Sequence, residues 1–404
     1  AKLAEQHGSA FFIFDEESYL LNLRELMKVF EKVYPNIALG YSFKTNYMPR
    51  VCQLARESGV LAEVVSEMEY DLALRVGYSS EQIIFNGPIK SKDVLFRAFD
   101  GGATVHFDSS EEIRILEEYL RSESPRTPVR CAVRCNFRIA GEQLTRFGIS
   151  AEDNSIVEAY ERLFALEGCA PVGIHCHFST SGRSLESYTE RAQKIIATAK
   201  EIFVGRKLEF IDIGGGFFGK MPRALLERFP CKVPTYAEYA EAIGGEMKRN
   251  FPDEDVQLIL EPGTMVVADT MKFYCQIDHV KHVGGKPFVV VQGSIHNIKP
   301  NGKSRIFPSM HVIPMGIAEP EDLVGADICG YTCIEDDVLA SGFNGRIAQG
   351  DFLAFDNVGA YSTMYKPPFI RPQPAVLGWD GTRFSLVKRQ ERDSDIFATY
   401  AFDK

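Results

Sequence analysis

No apolar run in this 404-residue chain approaches the ~18–20 residues that a membrane-spanning helix needs, so an integral helical membrane protein is excluded. Basic charge is in deficit: 45 Lys and Arg stand against 55 Asp and Glu, a formal net charge of −10. Nucleic acids and anionic membrane surfaces both reward Lys and Arg, so neither is expected as a partner, although a local basic pocket stays compatible with the balance. Cysteines number nine, an odd count, and no Cys-x-x-Cys pair occurs. With no secretory signal in front of them, free thiols in a reducing cytoplasm are expected, not a disulfide framework and not a zinc site. Cys131 and Cys135 stand four apart in an apparent strand, a spacing that suits packing. Low-complexity segments and flexible linkers are missing too. The start, Ala1-Lys2-Leu3, has neither an initiator Met nor a signal-peptide layout, as a trimmed or processed terminus would.

What is present is a repeat of strand, turn and helix. Hydrophobic residues make up 45% and charged residues 25%, ordinary for a globular protein, and the length calls for two domains. Short apolar runs cover 37–44, 61–66, 83–87, 104–108, 129–136, 172–179, 208–214 and 256–261, with helical stretches between them such as 49–58 and 184–203. Near-continuous apolar strands alternating with amphipathic helices imply a parallel sheet covered by helices. An open doubly wound sheet is the competitor, but eight units are what a closed (βα)8 TIM-type barrel requires. After Pro262-Gly263 the texture changes to strand-like runs, such as 286–292 and 351–355, punctuated by Gly, Pro and Asn. The expected architecture is therefore an α/β barrel over residues 21–263 and an all-β domain over 264–404. The N-terminal 1–20, with its strand-like Phe11-Phe12-Ile13-Phe14, is expected to join the second domain.

In such barrels the chemistry gathers at the C-terminal ends of the strands. Here those ends present Lys44, Ser66, Asn86, Asp108, Arg134, His177, Gly214-Gly215-Gly216 and Glu261. An aldehyde cofactor needs an amine to bond to, and Lys44 closes the first strand after Gly40-Tyr41-Ser42-Phe43, an apolar context that a surface lysine fits poorly. A phosphate needs backbone N–H groups unobstructed by side chains, and the glycine run after Phe210-Ile211-Asp212-Ile213 can form such a nest, although tight turns also use glycines. Glu261 ends Leu258-Ile259-Leu260 and can hold a protonated pyridine nitrogen; an idle acid there is costly to desolvate. His177 can stack on the ring, but strand histidines are as often satisfied core residues. Together these residues match the needs of pyridoxal 5'-phosphate.

At this point the chain resembles the fold-type III pyridoxal-phosphate decarboxylases, which include the diaminopimelate, ornithine and arginine decarboxylases. Tyr41-Ser-Phe-Lys44-Thr-Asn46 resembles the segment of the cofactor lysine, and Glu63-Val-Val-Ser66 with Glu69 resembles the second strand. His175-Cys-His177-Phe-Ser-Thr180 is similar to the segment whose second histidine stacks on the cofactor and whose hydroxyl binds phosphate. Asp212-Ile-Gly-Gly-Gly216 resembles the phosphate loop, and Glu261-Pro-Gly263 the segment carrying the pyridine carboxylate. Cys333-Ile-Glu-Asp-Asp337 and Gly359-Ala360-Tyr361 match two further motifs, in order. The resemblance implies catalytic Lys44, Cys333, Glu261 and His177. Cofactor contacts are implied from Lys44, Glu63, Arg134, His177, Thr180, Gly214, Gly215, Gly216, Glu261 and Tyr361. Candidate substrate residues are Cys333, Ile334, Asp337, Lys299 and Arg305. It also implies a homodimer in which Cys333 and Asp337 reach into the partner's active site, Cys333 as proton donor; without the motif, Cys333 would read as a small buried hydrophobe.

Departures from the family pattern concern the substrate. Thr264 follows Glu-Pro-Gly where relatives carry Arg, which removes a planar fork for phosphate or carboxylate. Ser179-Thr180 replaces a Gly-Ser pair, and 292–300 resembles the corresponding Gly-Met-Asn-Asp stretch only loosely. Ile334 follows Cys333 where diaminopimelate and ornithine decarboxylases have an acid, and it cannot pair with an ammonium. The expectation is a small amino-acid substrate without a free distal ammonium, specialised or conjugated, such as a siderophore or antibiotic intermediate. Diaminopimelate decarboxylation in lysine biosynthesis is one alternative, and a non-catalytic, decarboxylase-like regulator another. A racemase would place an arginine at the pyridine nitrogen, and a Rossmann site would place its glycines after the first strand, not the seventh.

Overall fold

A computed structural model describes residues 2–123, 125, 127–178, 180, 182–299, 308–365 and 369–402. They form two compact units: Leu20–Phe218 with Cys231–Met265, and Ala1–Tyr19 with Gly219–Pro230 and Val266–Lys404. The first strand, β1 (Ala10–Asp15), belongs to the second of these units. The first unit is built on β2 (Ile37–Ser42), β3 (Leu61–Val64), β4 (Ile83–Phe85), β5 (Thr104–Phe107) and β6 (Val129–Asn136). A two-residue strand, β7 (Ile149–Ser150), pairs only with β6; the series then continues with β8 (Cys169–His175), β9 (Phe210–Asp212) and β10 (Gln257–Leu260). Each strand of the series pairs in parallel with the next, and β10 pairs back onto β2 with Leu258 opposite Ile37, which closes an eight-stranded barrel. Each of the eight apolar runs read for the barrel overlaps one of these strands.

The strands are apolar on both faces because both are covered. Ile84, Ala132, Val172, Phe210 and Ile259 form one buried cluster, with Ala38, Leu61 and Ala170 packed against it. Gly173 leaves the room that the one ring of this cluster needs: a Cβ there would sit 2.4 Å from the Phe210 ring. Outside, the helix Pro49–Glu57 turns Val51, Cys52, Leu54 and Ala55 inward at helical spacing. The expected helix ends at Ser58, Ser184 and Phe203 prove to be caps flanking Pro49–Glu57 and Leu185–Ile202. Ser66, Ser91, Ser184 and Thr235 each accept a backbone N–H three residues on, so these helices start within a few residues of the loops that follow the strands.

The second unit is a mixed sheet of β1 with β11 (Met271–Val283), β12 (Lys286–Val291), β13 (Met310–Ile313), β14 (Glu321–Cys329), β15 (Val338–Ile347), β16 (Phe352–Phe355), β17 (Ala375–Trp379) and β18 (Phe384–Lys388). Gly284 and Gly285, with φ of +57° and +83°, make the two-residue turn between β11 and β12 that side chains would strain. β1 lies between β11, antiparallel, and β17, parallel, and its Phe11 packs on Phe352 and Leu377. All nine cysteines are free.

Gly173→Ala tests the barrel packing. Because the added methyl meets a ring held by the surrounding core, the variant is expected to lose about 1–3 kcal/mol in urea unfolding. A stability within about 0.5 kcal/mol of wild type would mean that the Phe210 ring is not packed as described.

Candidate active site

Lys44 stands two residues beyond β2, in a short 3₁₀ turn that buries Phe43 and Thr45 on either side of it. Its Nζ donates to Glu63 Oε2, and Ser42 Oγ donates to the same oxygen. The Lys44 side chain is 30% exposed, whereas Glu63 is fully buried. Lone burial of that carboxylate would be costly; here both oxygens are bonded, because Asn86 Nδ2 donates to Oε1 at 3.0 Å. The same Nδ2 also donates to Glu261 Oε1. One primary amide, with two N–H groups, thus bridges two buried carboxylates. Asn86 was visible in the sequence as a strand-end residue, but nothing there assigned it this role.

Glu261 closes β10 and is 2% exposed. His175 Nε2 lies 3.6 Å from its Oε2 and His177 Nδ1 4.0 Å. Burial drives the pKa values of His175 and His106 well below the ordinary histidine value. The two rings lie 4.8 Å apart, and His106 also stacks on Phe210 at 5.6 Å. Burial and the Arg134 guanidinium likewise hold His177 neutral. Its Nδ1 accepts the Gly215 N–H at 3.0 Å, so Nε2 carries the ring proton. Asp212 is pushed well above the carboxylate range by burial and by Glu261, and its Oδ1 accepts the Gly214 N–H at 2.8 Å. Donor atoms of His106, His175, Asp212 and Glu261 lie within 4.8 Å of one another. That spacing would admit a cation, but Glu261 is already bonded to Asn86 and Asp212 to a backbone amide.

The glycine run is less open than its sequence suggests. Gly214 and Gly216 have φ of +71° and +92°, and a Cβ on Gly215 would lie 2.2 Å from the Glu261 carbonyl oxygen. Gly214 N–H is spent on Asp212 and Gly215 N–H on His177. Among the described residues only the Gly216 N–H of the three has no partner. Thr180 is buried, 3.5 Å from Ser187 Oγ; Ser179 lies outside the described residues. Arg134 Nη2 donates to the His177 carbonyl at 2.8 Å, and its Nη1 lies 3.5 Å from Asp108. Ser66, another strand-end residue, caps the helix Glu67–Arg75. A cavity of about 570 Å³ opens beside Arg134, Phe147, His177, Phe178 and Thr180. An amine with a buried counterion, a buried acid, a flat neutral imidazole and an unspent amide beside a buried hydroxyl fit pyridoxal phosphate.

The remaining predicted residues belong to the other unit. Cys333 and Ile334 are exposed on the connection from β14 to β15, Ile334 at 43%. Asp337 is buried and accepts from Ser294 Oγ at 3.0 Å, Ile295 N–H at 2.6 Å and Thr332 N–H at 3.1 Å, so its carboxylate fastens this connection to the turn at 294–297. Burial lowers the Lys299 pKa. Tyr361 is half-buried with φ of +56°, its ring 5.9 Å from Tyr365. Arg305 lies outside the described residues.

A model of the family described as pyridoxal-dependent decarboxylase, pyridoxal binding domain, matches residues 20–268. The chain is similar to the diaminopimelate decarboxylase of Archaeoglobus fulgidus, 28% identical over 93% of this chain and 89% of the relative. It is also similar to the L-glutamyl-[BtrI acyl-carrier protein] decarboxylase of Niallia circulans, 24% identical over 98% and 95%. Its fold matches the crystal structure of diaminopimelate decarboxylase from M. jannaschii in complex with L-lysine, with a TM-score of 0.86 at 23% identity, covering 100% of this chain and 94% of that one.

Glu69, beside this site, gives a pH signature. Its carboxyl is buried, accepts the Val65 N–H at 2.8 Å, and is raised by burial to about 7. The unfolded chain loses this proton near the ordinary carboxylate value, while the fold keeps it until about 7. Stability contributed by the neutral carboxyl is therefore whole at low pH and declines as pH rises through that window, by about 3 kcal/mol in all. Glu69→Gln is expected to be less sensitive to pH than wild type between about pH 5 and about pH 8 in urea unfolding. Parallel profiles for the two proteins would show that Glu69 titrates normally.

Proposed function

The chain belongs to the pyridoxal-dependent decarboxylase family and is a pyridoxal-phosphate enzyme that decarboxylates an amino acid; on that premise we propose that its substrate has no free ammonium at the end remote from the reacting carbon. When bound, the coenzyme supplies a pyridinium ring that accepts the electron pair left behind by CO₂. Lys44 Nζ would be the amine that holds the coenzyme, and Glu63, itself held by Ser42, orients that nitrogen. Glu261 holds the proton of the ring nitrogen, steadied by Asn86. His177 offers a flat neutral face, locked by the Gly215 N–H. Cys333 Sγ, contributed by the partner subunit of a homodimer, would donate a proton to the substrate carbon that has lost CO₂; its exposed place suits a group that works on another chain.

The observation that carries the substrate reading is Ile334. The diaminopimelate and ornithine decarboxylases that the chain resembles have an acid at this place, and an exposed aliphatic side chain cannot pair with an ammonium. The relative from Niallia circulans, by its name, acts on a glutamyl group attached to a carrier protein, a substrate of the proposed kind. The name of the Archaeoglobus relative favours a second reading, diaminopimelate itself, in which Glu335 takes over the missing acid one place along.

A mass-spectrometric screen for CO₂ loss separates the two. Conjugated or carrier-tethered amino acids are expected to react, and free diaminopimelate, ornithine and lysine to react poorly. Ile334→Glu is expected to raise kcat/KM on the free diamino acids by about 10- to 100-fold, the worth of one charged hydrogen bond. Ordinary turnover of diaminopimelate by the wild type would overturn the proposal. Borohydride treatment of coenzyme-loaded protein should leave a covalent adduct on Lys44, and its absence would remove the role given to that residue.

A further inference from the structure

Arg191, on the helix Leu185–Ile202, is completely buried. Nη1 donates to the carbonyls of Gly215 at 3.1 Å and Ile213 at 3.4 Å, and Nη2 donates to that of Phe178 at 2.9 Å. The Tyr188 ring lies 4.2 Å from the guanidinium, and Tyr188 Oη adds a second donor to the Gly215 carbonyl at 3.1 Å. Among the described residues no carboxylate pairs with Arg191, and its Nε is unsatisfied. Carbonyls and a ring face meet part of the cost of burying this cation, but not its charge.

The missing anion has an obvious place. In a trans peptide the C=O and the following N–H point in opposite directions. Two donors on the Gly215 carbonyl therefore aim the Gly216 N–H away from Arg191, and this is the one amide of the glycine run left unspent. At Thr264, moreover, the chain lacks the cation that its relatives place after Glu-Pro-Gly. We propose that Arg191 is a positioning residue for the cofactor phosphate: it clamps the Gly215–Gly216 peptide so that its N–H faces the site, and its charge is balanced across the loop by the phosphate dianion. This rests on the cofactor reading of the site.

The test compares two ligands that differ only in the phosphate. Full-length protein stripped of coenzyme is titrated with pyridoxal phosphate and with pyridoxal, and Kd is read from absorbance. Arg191→Met, which keeps most of the packing volume, is expected to weaken pyridoxal phosphate about 10- to 100-fold while changing pyridoxal by less than about threefold. Equal losses for both ligands, or none, would mean that Arg191 is structural only. If Arg191→Met does not fold, Arg191→Gln carries the test: with the charge removed, its ratio of the two affinities should fall about tenfold or more against wild type, and a smaller change overturns the proposal. A wild-type protein that binds neither ligand would overturn the cofactor reading, and this role with it.

Discussion

Two carboxylates, Glu63 and Glu261, are buried at the same end of the barrel, and one primary amide, Asn86, serves both. Like charges this deep repel strongly unless each oxygen is matched. Lys44 and Ser42 take one oxygen of Glu63, and Asn86 takes the other. On the Glu261 side stand a neutral His175 and Asp212, whose pKa is pushed well above the usual carboxylate range by burial and by Glu261. Positions that look independent in the sequence are therefore one electrostatic unit. Altering Asn86 leaves an oxygen of each carboxylate unmatched, and altering Glu63 leaves the Lys44 amine without its counterion.

The glycine run obeys a similar economy. Its three amides are divided among an aspartic acid, a histidine ring and, by inference, the phosphate, while the Gly215 carbonyl faces Arg191 and Tyr188 and the Gly214 carbonyl accepts the Glu261 N–H at 2.9 Å. Each assignment fixes a neighbour. Gly215 N–H fixes the tautomer of His177, and Gly214 N–H fixes the orientation of Asp212 beside Glu261. Side chains at these glycines are barred less by the ligand than by backbone: the Glu261 carbonyl leaves no room at Gly215.

Much of this was legible beforehand. The eight strands could be read because strands covered on both faces are apolar throughout, and the run ends then named the ring of functional candidates. Asn86 and Asp108 were on that ring without a role, because a short polar side chain gives no hint of which carboxylate it will meet. Arg191 gave no signal at all; on an amphipathic helix a lone arginine reads as solvent-facing. The motif names Asp337 as a substrate contact; its oxygens accept from Ser294, Ile295 and Thr332, which joins segments about forty residues apart, a pairing no local pattern announces.

By itself the sequence determined the architecture and named Lys44 and Glu261 as candidate amine and acid, since those readings follow from periodicity and from the few residue types able to do such chemistry. Only the tertiary structure decided which amides were still unspent, which imidazole nitrogen carries the proton, and where a buried cation has no carboxylate beside it among the described residues. Hydrogen bonds are allotted by three-dimensional proximity between strands far apart in the chain, and no local pattern of residues records that allotment.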